Sequence, residues 1–299
     1  MKLNTSSRRS LGPLADVGPL AFGHWRFVGH DVPTATGLVE TALDLGMNLI
    51  DTADVYGLDW GGNGFGDAER LLGSVLDSSP GLRDRMVLAS KGGIMPGIPY
   101  DSSRSYLTEA LDASLSRLGV DRIDLYQIHR PDVFTHPQDL ATTLTGFIDS
   151  GKVGAVGVSN FTTAQTEALV AYLGDSVVST QPQFSVDHLH PLRDGTLDQA
   201  MRLGLRPLAW SALAGGALAT GHNIRTELML EIDALAAREQ VERSAIALAF
   251  VLAHPSEPVA IIGSQKPERL RAAMTALDVT LTRDDVYTLI EASEGEALP

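Results

Sequence analysis

The sequence predicts an α/β protein of the (β/α)8 TIM-barrel class, with a short N-terminal extension and a C-terminal helix or tail. Three observations carry this expectation. Eight short apolar runs rich in β-branched residues alternate with longer segments of helical period. The runs are continuous instead of alternating with polar residues, as in parallel strands buried on both faces. No composition break, linker, low-complexity tract or close internal repeat interrupts the rhythm, so residues 1–299 read as one domain. A chain of 299 residues suits such a barrel, which typically needs about 250.

The strands are expected at PLAFG (19–23), MNLID (47–51), MVLAS (86–90), IDLYQIH (123–129), AVGVS (155–159), VVSTQ (177–181), RPLAW (206–210) and VAIIG (259–263). The first helix is expected over 34–46, opening on Thr34 as N-cap and ending on Gly46. The segment 103–119 places Tyr106 or Leu107, Ala110 or Leu111, Ser114 or Leu115, and Leu118 on one face and stops at Gly119. The segment 162–174 repeats the scheme. Helices at 225–240 and 244–254 precede the last strand, and one at 267–277 follows it. The stretch AIALAFVLA (245–253) is apolar nearly all round, as a core helix should be, and is too short to span a bilayer.

Composition narrows the function. The formal net charge is −14, which disfavours nucleic acid and anionic membrane as partners but permits an anionic cofactor in a local basic pocket. There is no cysteine, so disulfides, thiolate catalysis and cysteine-based metal sites are excluded. After Arg8 and Arg9, Asp16 interrupts the apolar residues, so no secretory signal is expected and the location is read as cytoplasmic. A monomer or small homo-oligomer is expected.

In a barrel of this class, chemistry gathers where the strands end. The second run ends on Asp51, with Tyr56 five residues on. The third leads to Lys91, the fourth to His129, the fifth to Ser159 and Asn160, the sixth to Gln181, and the seventh to Trp210 and Ser211. Taken singly, each has a plain structural reading: Asp51 as a turn acid, Tyr56 as packing, Lys91 as an ion-pair partner, His129 as a loop histidine. Together they make chemical sense. A carbonyl that receives hydride gathers negative charge on oxygen and needs a proton. A phenol can give it, although its ordinary pKa near ~10 is high for a general acid. A neighbouring ammonium would lower that pKa, and a buried ammonium needs a counter-ion such as Asp51. His129 can hydrogen-bond the substrate oxygen and orient it.

The segments GMNLIDTADVYG, SKGG, DRIDLYQIHRPD, SGKVGAVGVSNF, LAWSALAGGALATG and IIGSQKPERL, in that order, make the chain resemble the aldo-keto reductase superfamily. The likeness runs from about Gly18 to Leu277, and is to the bacterial branch related to potassium-channel β subunits. It implies reduction of an aldehyde or ketone by NADPH, without metal or flavin, the small-molecule carbonyl being the partner. It implies Tyr56 as proton donor, Lys91 as the group lowering its pKa, Asp51 as the partner of Lys91, and His129 as the residue orienting the carbonyl. Ser159, Asn160 and Gln181 would hydrogen-bond the nicotinamide carboxamide, and Trp210 would stack on the ring. Gly23 and Trp25 would line the mouth.

The resemblance also implies that the loop 211–221, with Ser211, Leu213 and Gly215, passes over the pyrophosphate. Glycines there permit close backbone approach. Gly263, Ser264, Gln265, Lys266 and Arg269 match positions around the adenosine ribose and its 2′-phosphate, with Pro267 opening a helix. Many members hold adenine with Glu and Asn where this chain has Ala272 and Ala273, so NADH is possible as well as NADPH. Ala212 and Thr180 also replace the proline and asparagine common at those places.

Trp25, Phe27, Trp60, Phe65 and Phe134 could form an apolar or sugar-stacking cleft, or pack within their loops. His188 and His190, with Asp187 and Asp194 near, lack a third-ligand spacing, and no metal site is expected. A second functional reading is a cofactor-binding redox sensor with weak turnover.

Overall fold

The computed structural model describes residues 8–298; residues 1–7 and 299, which the expected domain includes, lie outside the described set. Eight parallel strands close into a barrel in sequence order. They are β1 (Leu20–Gly23), β2 (Leu49–Asp51), β3 (Val87–Gly92), β4 (Ile123–Ile128), β5 (Val153–Ser159), β6 (Val177–Gln181), β7 (Arg206–Ala209) and β8 (Val259–Ile262), and β8 pairs with β1. Each expected strand is present, with ends moved by a few residues at most.

Helices surround the barrel: α1 (Val32–Asp44), α2 (Asp67–Ser78), α3 (Arg104–Leu118), α4 (Pro137–Asp149), α5 (Thr163–Leu173), α6 (Thr196–Leu203), α7 (Ala217–Thr220), α8 (Thr226–Glu239), α9 (Arg243–Leu252), α10 (Pro267–Ala273) and α11 (Arg283–Glu294). The expected helix 267–277 is α10 continued by a 3-10 turn over Met274–Leu277. The C-terminal helix is α11. Thr34 is not the N-cap of α1. That place belongs to Asp31, whose carboxylate accepts the Thr34 N–H at 2.9 Å, with Pro33 in the first turn. A sequence pattern finds capping residues one turn out of place when two oxygen-bearing side chains flank the same proline. Thr162 caps α5 in a full capping box with Gln165, and Gly119 ends α3 in the left-handed conformation, both where expected.

Two apolar clusters follow from the period-two alternation of the strands. Outward side chains such as Phe22, Ile50, Leu88 and Val156 meet the helices in the larger cluster, which also takes in all of Ala245–Leu252. Inward side chains Leu49, Val87, Ala89, Leu125, Ala155, Val178, Leu208 and Val259 fill the lower barrel. An N-terminal hairpin, paired antiparallel at Arg9 and Val17, places Leu11 and Val17 against this inner cluster. Two residues further along the same inward rows the side chains turn polar. Leu49 gives way to Asp51, Ala89 to Lys91 and Leu125 to Gln127. The apolar plug thus ends where the mouth begins. Among the described residues, no helix is long and apolar enough to cross a membrane.

Candidate active site

Strand register brings the polar ends together. Asp51 lies opposite Ala89, and Lys91 opposite Gln127, so Asp51 and Lys91 are offset by one inward step on adjacent strands. Lys91 is fully buried and Asp51 nearly so. The Lys91 ammonium donates to Asp51 Oδ2 at 2.7 Å, to the Thr52 carbonyl at 2.8 Å and to the Tyr56 hydroxyl at 3.0 Å. These three acceptors use all three N–H bonds of the ammonium, which fixes its position. Asp51 Oδ1 accepts from Gln127 Nε2 at 3.2 Å and Gln181 Nε2 at 3.0 Å. Space for this packing comes from Gly157, where a Cβ would overlap Ser179 Oγ and crowd Gln127 Cγ.

Tyr56 reaches the mouth because the chain turns back after β2. Thr52 N–H donates to the Ala89 carbonyl and Asp54 N–H to the Lys91 carbonyl, which ties the turn to β3. The Tyr56 and His129 rings meet edge to face with centroids 5.7 Å apart. His129 is anchored by its own N–H on the Gly92 carbonyl, and its buried Nδ1 has no protein partner.

Lys91 lowers the Tyr56 pKa, as expected, but burial of the phenol, the largest cause, raises it, Asp51 adds to the rise, and the net direction is upward. The phenol therefore holds its proton at neutral pH, with a cation 3.0 Å away. Burial pushes the Lys91 pKa down, yet the attraction of Asp51 and Tyr56 outweighs it and the net shift is upward, so the amine stays charged. Burial first, then the charges of Lys91 and Arg130, drive the His129 pKa well below its ordinary value, and the imidazole is neutral.

A second chain of hydrogen bonds runs across the mouth. Ser159 Oγ donates to the Gln181 carbonyl at 3.1 Å, Asn160 Nδ2 to Ser159 Oγ at 2.8 Å, and Trp210 Nε1 to Asn160 Oδ1 at 3.0 Å. Asn160 takes a left-handed backbone (φ 57°), which turns its amide back over the strand ends. The Trp210 ring is thereby held in orientation, with the Arg130 guanidinium 6.0 Å from its centre. Gly23 is buried against β8, where a Cβ would sit 2.5 Å from Ile261 Cγ2.

After β7, Ser211, Ala214, Gly215 and Gly216 all have positive φ, which folds the loop tightly. Gly215 N–H donates to Ser211 Oγ, while Leu213 accepts from Gly216 N–H. After β8, Ser264 Oγ and Gln265 Oε1 are buried without protein partners, and open space faces Gly263. Lys266 and Arg269 are exposed beside them. These orphaned atoms and free cations suit the phosphate and ribose groups of a dinucleotide.

The aromatic cleft is only part of what the sequence suggested. Trp25 and Trp60 meet at 5.5 Å on the rim, and the Arg26 guanidinium lies 4.0 Å over the Trp60 ring while donating to the Gly215 carbonyl at 3.1 Å. Phe27 belongs to the core and Phe134 is 97% exposed, so neither shares this platform. His190 Nε2 lies 3.3 Å from Asp194, and no group of three metal-ligating residues gathers among the described residues. Sequence reasoning missed Gln127, Arg26 and Asp54. Gln127 carried one signal: a polar residue in an otherwise apolar strand, two before His129.

Comparison with known proteins agrees with this geometry. The Aldo/keto reductase family model matches residues 19–294. The chain is 49% identical over 286 residues to a 6-dehydroglucose reductase of Novosphingobium aromaticivorans, covering 95% of this chain and 94% of that protein. It is 32% identical to a 6-dehydroglucose reductase of Agrobacterium fabrum, covering 96% and 99%. In fold it resembles an aldo/keto reductase from Klebsiella pneumoniae solved with NADP and acetate, with a TM-score of 0.80, 24% identity and coverage of 95% and 94%. With the matched residues reaching from β1 into α11 and enclosing every residue of the Asp51–Tyr56–Lys91–His129 cluster, the chain belongs to the aldo/keto reductase family of oxidoreductases.

Proposed function

We propose that this protein reduces the aldehyde of a sugar to an alcohol, with Tyr56 as proton donor and NADPH as the preferred reductant. The observation that carries the reading is the Lys91 ammonium bridging the Asp51 carboxylate and the Tyr56 phenol. When bound, NADPH supplies the hydride. The chain supplies the proton and the orientation. Tyr56 stands at the mouth with its proton in place, and neutral His129 offers a ring nitrogen to the carbonyl oxygen. As Tyr56 gives up its proton, the fixed ammonium stabilises the phenolate without reorganisation. The uncharged state of His129 leaves Lys91 as the cation that faces the Tyr56 oxygen.

Ser159, Asn160 and Gln181 would hold the carboxamide, and Trp210 would cover one face of the nicotinamide. Gly23 and Trp25 would bound the mouth. The loop bearing Ser211, Leu213 and Gly215 would lie over the pyrophosphate. Gly263, Ser264, Gln265, Lys266 and Arg269 would receive the ribose and 2′-phosphate, a charge arrangement that favours NADPH while leaving NADH usable. The sugar class rests on the two relatives named for 6-dehydroglucose and on the Trp25–Trp60 rim, since sugar rings stack on indole faces. The whole chain would act as one domain.

The test is NADPH consumption with hexose aldehydes oxidised at the terminal carbon, set against simple alkyl aldehydes and ketones. The reading expects the sugar aldehydes to have the highest kcat/KM. A preference for alkyl ketones over every sugar aldehyde contradicts the substrate class.

A further inference from the structure

A second polar cluster lies directly behind the catalytic one, on the outer face of β3 and β4. Asp54 sits midway between Asp51 and Tyr56 and is fully buried. Neither of its carboxyl oxygens has a hydrogen bond of regular geometry. Beside it, Tyr126 is fully buried with its hydroxyl also unpartnered. The two groups face each other across Gly92: a Cβ there would overlap the Tyr126 hydroxyl and lie 3.4 Å from Asp54 Oδ2. The residue after Lys91 is thus a glycine because the space above it belongs to these two side chains.

The cations near Asp54 are engaged elsewhere. Lys91 is taken by Asp51 at 2.7 Å. Arg117 of α3 is taken by Glu69 of α2 at 2.7 Å, and Glu69 also accepts from Ser90 at 2.5 Å. The groups that face Asp54 are Tyr56 in its own turn, Lys91 from β3, Glu69 from α2, Arg117 and Tyr106 from α3, and Tyr126 from β4. None is an unengaged cation. A buried carboxylate without a counter-ion is costly, and such a group keeps its proton instead.

We propose that Asp54 is a positioning residue of the active site: held as an uncharged acid, it keeps the Asp51–Tyr56 turn seated behind Lys91 without placing a second negative charge next to Tyr56. Burial and then the Glu69 charge push the Asp54 pKa well above its ordinary value, with Arg117, the Val55 amide and Lys91 opposing less strongly. An ionised Asp54 would raise the Tyr56 pKa further and would make the phenol a poorer acid. The role rests on Tyr56 being the proton donor.

The experiment compares wild type with Asp54→Asn, which is uncharged at every pH and close in shape. A carboxyl whose folded pKa is raised favours the folded state below its unfolded pKa and loses that contribution as pH rises. The urea midpoint of Asp54→Asn is therefore expected to pull ahead of wild type progressively from about pH 4 to about pH 8. At whatever pH the midpoint gap stops widening, which marks ionisation of Asp54 in the fold, wild-type kcat should fall while Asp54→Asn holds its rate. Asp54→Leu, which keeps the bulk but replaces the polar carboxyl beside the Tyr126 hydroxyl, should lose about tenfold or more in kcat with KM little changed, and Asp54→Asn should recover most of it. A midpoint difference independent of pH means that Asp54 is ionised in the fold, and overturns the proposal. Superposable kcat profiles overturn it as well. The midpoint series reads Asp54 without reference to turnover. Should Tyr56→Phe prove fully active, the functional reading fails while a widening midpoint gap still establishes the buried acid.

Discussion

The ammonium of Lys91 lies 3.0 Å from the phenolic oxygen of Tyr56 and 2.7 Å from the carboxylate of Asp51, with Lys91 and Asp51 buried at the barrel mouth. One cation thus serves two partners with different needs. Asp51 keeps Lys91 charged, and the same ammonium holds the Tyr56 hydroxyl by a hydrogen bond. Because Asp51 has no other cation within hydrogen-bonding distance, Lys91→Met should leave a buried carboxylate unpaired and cost about 3–5 kcal/mol of stability. The double variant Asp51→Asn/Lys91→Met should recover much of that loss while staying inactive. Urea unfolding of the three variants separates the ion pair's structural contribution from its chemical one. A single variant as stable as wild type would mean that Asp51 is satisfied by Gln127 and Gln181 alone.

Acid should weaken the fold through its buried imidazoles. His24 is fully buried, stacked on Phe27 at 4.0 Å, and both ring nitrogens lack protein partners. Burial, then the Lys91 charge, lowers its pKa from 6.5 to about 3. A histidine with a depressed folded pKa is protonated first in the unfolded chain. Stability is then complete above pH 6.5 and falls as pH drops toward about 3. Within that window His24 should contribute a slope of about 1.4 kcal/mol per pH unit, and His129 a further part. His24→Gln should remove the His24 share, as read from denaturant unfolding between about pH 6.5 and about pH 5. An unchanged slope would mean that a buried partner already holds the charged ring.

Cofactor choice should follow Lys266 and Arg269. Both are exposed and without ion pairs, next to the buried orphan atoms of Ser264 and Gln265. Substituting both by alanine is expected to weaken NADPH binding by about tenfold or more while changing NADH binding little, because only the 2′-phosphate is lost as a partner. Quenching of Trp210 fluorescence during titration is the readout. Equal loss for both nucleotides would place these residues on the pyrophosphate instead.

Much of this was legible in the sequence for a physical reason. Strands buried on both faces must be continuous apolar runs, so all eight stood out, and the residue at which each run turns polar marks the mouth. That is why Asp51, Lys91, His129, Ser159 and Gln181 could be named. Helices were harder. α2 begins after a glycine-rich loop and carries Gly73 within it, α6 is eight residues long between two glycines, and α4 is capped by His136 instead of a serine, threonine, aspartate or asparagine. The net direction of the Tyr56 shift was also out of reach, since it depends first on how deeply the phenol is buried and then on the balance of Lys91 and Asp51. Asp54 was hidden for a related cause. A turn acid and a buried neutral acid look alike until the packing around Gly92 and the pairing of Glu69 with Arg117 are known.

The central claim is that Tyr56 gives the proton, and Tyr56→Phe tests it most directly. The substitution removes one oxygen and leaves the ring, so the turn and the contact with His129 should persist. Steady-state reduction of a good aldehyde, measured beside NADPH affinity on the same preparation, is predicted to show kcat lower by about 10²–10⁴ with nucleotide binding nearly unchanged. A variant that keeps the wild-type kcat would show that the proton comes from another group.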